Sequence, residues 1–170
     1  AMNTPDRPER DVARYGQVFT PPEIVDRMFA LSRNHGRLLD PACGDGAFSS
    51  RVPGCVAIEI DSAHCPSGAL NIDFFAYSDK ERFATIIGNP PYVKARDILP
   101  QTALRLRSDL LDGHANLYLH FIEKCVRHLQ PELLDRPVRE DFFCVGRQEA
   151  ATPLIVTRAR AHDVEFAAAY

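Results

Sequence analysis

Phe83-Ala84-Thr85-Ile86-Ile87-Gly88-Asn89-Pro90-Pro91-Tyr92 is the stretch on which the fold turns. Its first six residues form an apolar run, closed by glycine and proline, that reads as a buried strand. An amide, two prolines and an aromatic ring then sit together at the strand's carboxyl end, where open α/β sheets bind ligands. Each proline fixes its own φ near −65°, and a residue before proline is pushed out of the helical region. Asn89 to Tyr92 is therefore a stiff, extended bracket holding one amide and one ring, suited to a planar group with an exocyclic amine. Taken alone, the same four residues also fit a strand simply ended by prolines.

Upstream, Thr20-Pro21-Pro22-Glu23 reads as a helix start. Thr20 is placed to cap, Pro21 to occupy the first helical position, and Glu23 to complete a capping box. Ile24, Val25, Met28 and Phe29 give that helix an apolar stripe. Arg37 to Asp40 is a short strand entering a Gly-rich turn, and Cys55 to Asp61 is a second strand ending in two carboxylates. Asn71 to Phe75 lies on a third strand end or the loop beyond it. Downstream, Asn116 to Leu129 is an amphipathic helix with Leu117, Phe121, Ile122, Cys125, Val126 and Leu129 on one face. Strands alternating with helices imply an α/β fold with a mostly parallel, doubly wound sheet.

The chain has 170 residues, 45% hydrophobic and 25% charged, which suits one globular domain with a real core. No stretch approaches the roughly twenty apolar residues of a membrane span, and the first residues lack a signal-peptide core. The five cysteines include no CxxC pair, so reduced thiols are expected and a zinc site is not. A net charge of −3 does not advertise a nucleic-acid binder. Locally, however, Lys94, Arg96, Arg105 and Arg107 cluster after the bracket, partly offset by Asp97, Asp109 and Asp112. That cluster is either a solvated loop or one that contacts phosphates.

The segment Asp40-Pro41-Ala42-Cys43-Gly44-Asp45-Gly46-Ala47-Phe48 lies where a strand meets a helix. Its glycines allow close backbone approach to a ligand, and Glu59, at the end of the next strand, is placed to bind ribose hydroxyls. The GxGxxG spacing and a phosphate-binding lysine are missing. A nucleoside ligand without phosphates follows, and S-adenosylmethionine is one. Asp73 and Phe74 would supply an acceptor for its adenine amine and a ring beside its face.

Together, Gly16-Gln17-Val18-Phe19-Thr20-Pro21-Pro22, the Asp40–Phe48 turn, Ile58-Glu59-Ile60-Asp61, Asn71-Ile72-Asp73-Phe74-Phe75 and Gly88-Asn89-Pro90-Pro91-Tyr92-Val93 resemble, in kind and order, a known family. It is the γ-class N6-adenine DNA methyltransferases of bacterial restriction–modification systems. Asp112 to Pro131 is similar to the helix that follows their NPPY motif. The resemblance implies a Rossmann-like, S-adenosylmethionine-dependent methyltransferase core over residues 15–131, incomplete on its C-terminal side. It also implies a cytoplasmic, nucleoid-associated setting, a flipped adenine of DNA as substrate, and no metal.

By the same resemblance, Phe19, Thr20, Asp40, Ala42 and Gly44 would line the methionine end of the cofactor. Glu59 would hold the ribose, with Ile60 against the adenine. Asp73 would bind the adenine amine, with Phe74 and Phe121 packed on the ring. Asn89 and the Pro90 carbonyl would accept hydrogen bonds from the target amine. Pro91 would keep the bracket stiff, and Tyr92 would stack on the flipped base.

Residues 1–14 read as a mobile N-terminal segment and residues 132–170 as a divergent tail where the family pattern fails; Cys144 to Tyr170 lacks sustained periodicity apart from a short Leu154-Ile155-Val156 run. A genuine variant, a modification subunit needing a partner for specificity, and the product of a frameshifted or interrupted gene all fit that break, the last of these best. An exposed sheet edge and self-association are expected consequences. Two rival functions stand beside methylation of DNA: a protein-glutamine or RNA methyltransferase, and a cofactor-binding remnant without turnover.

Overall fold

The computed structural model describes residues 12–32, 36–111, 113–129 and 154–156. Five short strands make one sheet: β1 (Leu38–Asp40), β2 (Val56–Glu59), β3 (Leu70–Asn71), β4 (Thr85–Gly88) and β5 (Leu154–Val156). Their spatial order is β3-β2-β1-β4-β5. The first four run parallel, with Leu39 opposite both Val56 and Ile86, and Ile58 opposite Leu70. The chain steps outward from β1 to β3 and then returns to lay β4 on the other side of β1. That reversal makes a crevice at the carboxyl ends of β1 and β4, the position where such sheets bind ligands.

Period-2 alternation distributes the strand side chains to two cores. Leu38 and Ile87 pack with Val25, Met28 and Phe48 on one face, beneath α2 (Pro22–Leu31). Leu39, Ile58 and Ile86 pack with Phe74, Phe83, Phe121, Ile122 and Cys125 on the other, beneath α4 (Leu117–His128). Two shorter helices, α1 (Val12–Tyr15) and α3 (Pro100–Ala103), flank the carboxyl ends of the strands. The three-layer α/β arrangement matches the Rossmann-like methyltransferase architecture expected from the sequence.

One expectation needs correction. Thr20 does not cap α2: Pro21 occupies the cap position without a side-chain hydrogen bond, and the helix begins one residue later than expected. The reason is competition, because the buried Thr20 hydroxyl accepts instead from Asn89 Nδ2 at 3.3 Å. On the outer side of β4, Leu154–Val156 pairs antiparallel, Ile86 opposite Val156 and Gly88 opposite Leu154. Residues 12–14, the end of the N-terminal segment set apart in the sequence, lie in the helical turn α1. The rest of that segment, Asp112 and the remainder of the tail from residue 130 lie outside the described residues. Among the described residues, no helix is long and apolar enough to cross a membrane, and no group of three or more His, Cys, Asp or Glu could hold a metal ion.

Candidate functional site

The crevice opens into a cleft at the carboxyl ends of β1, β2 and β4. Of the residues singled out in the sequence, Phe19, Ala42, Gly44, Glu59, Ile60, Asp73, Phe74, Phe121, Asn89 and Pro91 line it. Thr20, Asp40, Pro90 and Tyr92 do not. Thr20 and Asp40 are buried behind the wall, and Tyr92 stands outside it, 38% exposed.

The Gly-rich turn after β1 forms one wall. Gly44 takes φ +55°, a backbone that side chains rarely adopt, and a Cβ there would sit 3.3 Å from the Phe19 ring. Its N–H donates to Glu59 Oε2 at 2.8 Å, while the Asp61 N–H donates to Glu59 Oε1 at 2.7 Å. Burial pushes the Glu59 carboxyl above its ordinary range, the Asp61 and Gly44 amides pulling back against it. Beneath the turn, Asp40 is fully buried, and no hydrogen bond of good geometry reaches either carboxylate oxygen. Burial drives its pKa well up; the nearby Ala42 and Ser49 amides offset this in part, and the Glu59 charge adds to it.

The opposite wall is aromatic. Phe74 lies 5.1 Å from Phe121, centroid to centroid, and Phe75 meets the same ring edge-on at 5.1 Å. Asp73 starts the short 3₁₀ turn Phe74–Ala76, with Oδ1 accepting from the Phe75 N–H at 2.9 Å and Oδ2 accepting from the Thr102 hydroxyl at 2.8 Å. Each oxygen keeps a second lone pair for a ligand.

The bracket closes the third side. Asn89 Nδ2 donates to the Val18 carbonyl at 2.9 Å. A carbonyl can only accept, so this contact fixes which way the amide points. Asn89 Oδ1 is left buried with no partner. Tyr92 stacks on Tyr118, centroids 5.5 Å apart and planes 12° apart. All four residues of the basic cluster, Lys94, Arg96, Arg105 and Arg107, are exposed, and Arg105 also reaches to within 3.9 Å of Asp73 Oδ2.

This geometry can be set beside known proteins. The Eco57I restriction-modification methylase family matches residues 59–134, which run from the end of β2 through the bracket and α4. A type II methyltransferase of Thermus thermophilus, M.TthHB8I, is 36% identical over 137 residues, 68% of this chain and 32% of that protein. The likeness is to restriction–modification methyltransferases. Type II methyltransferase M.HincII of Haemophilus influenzae is 32% identical over 91 residues, 49% of this chain and 18% of the relative. Modification methylase CviBIII of a Paramecium bursaria Chlorella virus is 25% identical over 142 residues, 71% of this chain and 36% of the relative. The chain thus spans about a third or less of the length of these curated relatives.

Several lining residues carry no role in the sequence reading: Arg14, Tyr15, Gln17, Val93, Leu99 and Thr102. Gln17 stood within the quoted Gly16–Pro22 element, so a signal existed. Thr102 had none, because its link to Asp73 spans 29 residues of sequence.

Proposed function

We propose that this chain is the catalytic core of an S-adenosylmethionine-dependent methyltransferase acting on the N6 amine of adenine in DNA, within a restriction–modification system. The observation that carries this reading is Asn89. Its Nδ2 is tied to Val18 and Thr20, and its Oδ1 remains a buried, unpartnered acceptor on the cleft wall. A buried acceptor without a partner costs about 1–3 kcal/mol, a cost that a donor on the substrate would relieve.

The cleft suits the cofactor. Glu59 offers buried carboxylate oxygens for ribose hydroxyls, and Asp73 retains lone pairs for an adenine amine. Ile60, Phe74 and Phe121 supply apolar faces, and the Gly44 turn admits close backbone approach. When bound, S-adenosylmethionine supplies an electrophilic methyl group on a sulfonium.

This chain's own residues then act on the target amine, whose lone pair is delocalised into the ring and weakly nucleophilic. Asn89 Oδ1 and the Pro90 carbonyl would accept hydrogen bonds from its two N–H groups, which favours the pyramidal nitrogen needed for in-line attack. Such stabilisation belongs to the transition state and requires no covalent nucleophile. Burial pushes the Cys43 and Cys125 thiols up, far from a reactive thiolate. Tyr92, already backed by Tyr118, presents an exposed ring on which a flipped base can stack. By analogy with other base–aromatic stacks, that contact offsets flipping by about 1–3 kcal/mol.

The test is thermal unfolding of the full chain with and without excess S-adenosylmethionine, followed by transfer of labelled methyl to DNA. A midpoint that rises with cofactor, and does not rise in Asp73→Ala, supports the cofactor site. Label appearing in N6-methyladenine, and lost in Asn89→Ala while the cofactor-induced shift persists, supports the reaction. A midpoint indifferent to cofactor rejects the reading.

A further inference from the structure

Residues 16–20 pass between the bracket after β4 and the loop after β2, and their contacts alternate. On one side, the Gly16 carbonyl accepts from the Tyr92 N–H at 3.4 Å, the Val18 carbonyl accepts from Asn89 Nδ2 at 2.9 Å, and the Thr20 hydroxyl accepts from the same amide at 3.3 Å. On the other side, Gln17 Nε2 donates to Asp61 Oδ2 at 2.9 Å, and the Phe19 ring meets the His64 ring edge-on at 5.3 Å. His64 Nδ1 donates to the same Asp61 oxygen at 2.6 Å, and the Ala63 N–H donates to Asp61 Oδ1 at 3.0 Å. Even-numbered residues therefore engage the bracket after β4, and odd-numbered ones engage the loop after β2.

Asp61 is buried and its own N–H donates to Glu59. It is therefore joined to both the cleft's carboxylate wall and the strap. Gln17 and Phe19 line the cleft, so moving the strap moves cleft residues and the Asn89 amide together. We propose that Asp61, supported by His64, is a positioning residue: through Gln17 and Phe19 it holds strap 16–20 in register, so that one element sets both the cofactor wall and the direction of the Asn89 amide. This rests on the methyltransferase reading above for the identity of the ligands, but not for the mechanical link itself. Neither Asp61 nor His64 lines the cleft, so their effect runs through the strap.

The link is testable by breaking it from either side. Asp61→Ala removes the acceptor that Gln17 and His64 share, Gln17→Met removes the strap's donor, and the double variant breaks the same link once. Two measurements on the full chain decide: S-adenosylmethionine affinity by calorimetry, and the side-chain amide resonance of Asn89 in a nitrogen-15 correlation spectrum. Each single variant should weaken affinity about tenfold, the scale of a lost hydrogen bond to a charged group, and shift the Asn89 resonance. The double variant should lose little more of either than one single variant does.

Additive losses, or an Asn89 resonance that stays in place in both single variants, would overturn the proposal, because a merely structural role lowers the unfolding midpoint without reporting at Asn89. If S-adenosylmethionine binds neither wild type nor variants, the cofactor reading falls, and the Asn89 resonance alone still judges the strap.

Discussion

Asp40 shows what one side chain can be made to bear. A carboxyl with no exposed surface and no hydrogen bond of good geometry is costly, and costs of that kind concentrate at functional sites. Gly88 presses on it from β4, since a Cβ there would lie 2.9 Å from Asp40 Oδ1. Asp40→Asn keeps the shape and removes the charge. It should raise the unfolding midpoint of the unliganded protein by roughly 2–4 °C for each kcal/mol relieved. The sign with pH follows from a folded pKa above the unfolded one. The native state then holds a proton that the unfolded state releases, so wild-type stability recovers as pH falls through that folded pKa toward 3.8. The advantage of Asp40→Asn should therefore be largest near pH 8 and shrink toward pH 4 in parallel thermal scans. An advantage independent of pH would mean that Asp40 is not strained by burial.

At the scale of elements, strap 16–20 depends on a glycine. Gly16 sits at φ +64°, and a Cβ there would meet the Tyr92 nitrogen at 2.8 Å and Val93 at 2.9 Å. Gly16→Ala combines an unfavourable backbone with a clash against main chain, and should cost about 1–3 kcal/mol. It should also lift the strap from the bracket, so the Tyr92 amide should exchange with solvent faster than in wild type. Unchanged protection at Tyr92 would show that the segment tolerates a side chain.

The elements that sequence reading located are those whose signals are local. The apolar run before Asn89, the Gly-rich turn after Asp40 and the stripe of α4 each declare themselves within a few residues. Helix α2 was displaced by one residue because a long-range partner, Asn89, claimed the Thr20 hydroxyl. The strap's alternation was illegible for the same reason: its partners Asp61 and Asn89 lie 44 and 71 residues from Gln17 and Val18. Likewise, nothing near Leu154-Ile155-Val156 says that it will pair with β4. On α4, the charged Lys124 is buried, donating to the Tyr77 carbonyl and Asp79. The loop that covers it comes from elsewhere in the chain.

That covering loop ties α4 to the sheet across the whole molecule, and His128 is its deepest point. The ring is fully buried among Phe74, Tyr77 and Phe83. His128 Nδ1 lies 2.9 Å from the Glu81 carbonyl. A carbonyl cannot donate, so Nδ1 carries the proton. Next to it, the Phe83 N–H donates to the His128 carbonyl at 2.9 Å, joining the end of α4 to the approach to β4. Burial depresses the imidazole pKa; the Glu81 carbonyl bond only partly offsets this, and Lys124 depresses it further. Below pH 6.5 the unfolded chain gains a proton that the folded chain refuses. Stability should then fall by up to about 1.4 kcal/mol per pH unit until the folded pKa is reached. His128→Asn can keep a donor near Glu81 but cannot titrate. It should be less stable than wild type at pH 7.5, through lost ring packing, with the gap narrowing between pH 6.5 and 5. Asp40, Glu59 and His120 titrate in both proteins, so the difference between the two midpoint curves isolates His128. Parallel curves would mean that this buried ring accepts its proton without opening the junction between α4 and the sheet.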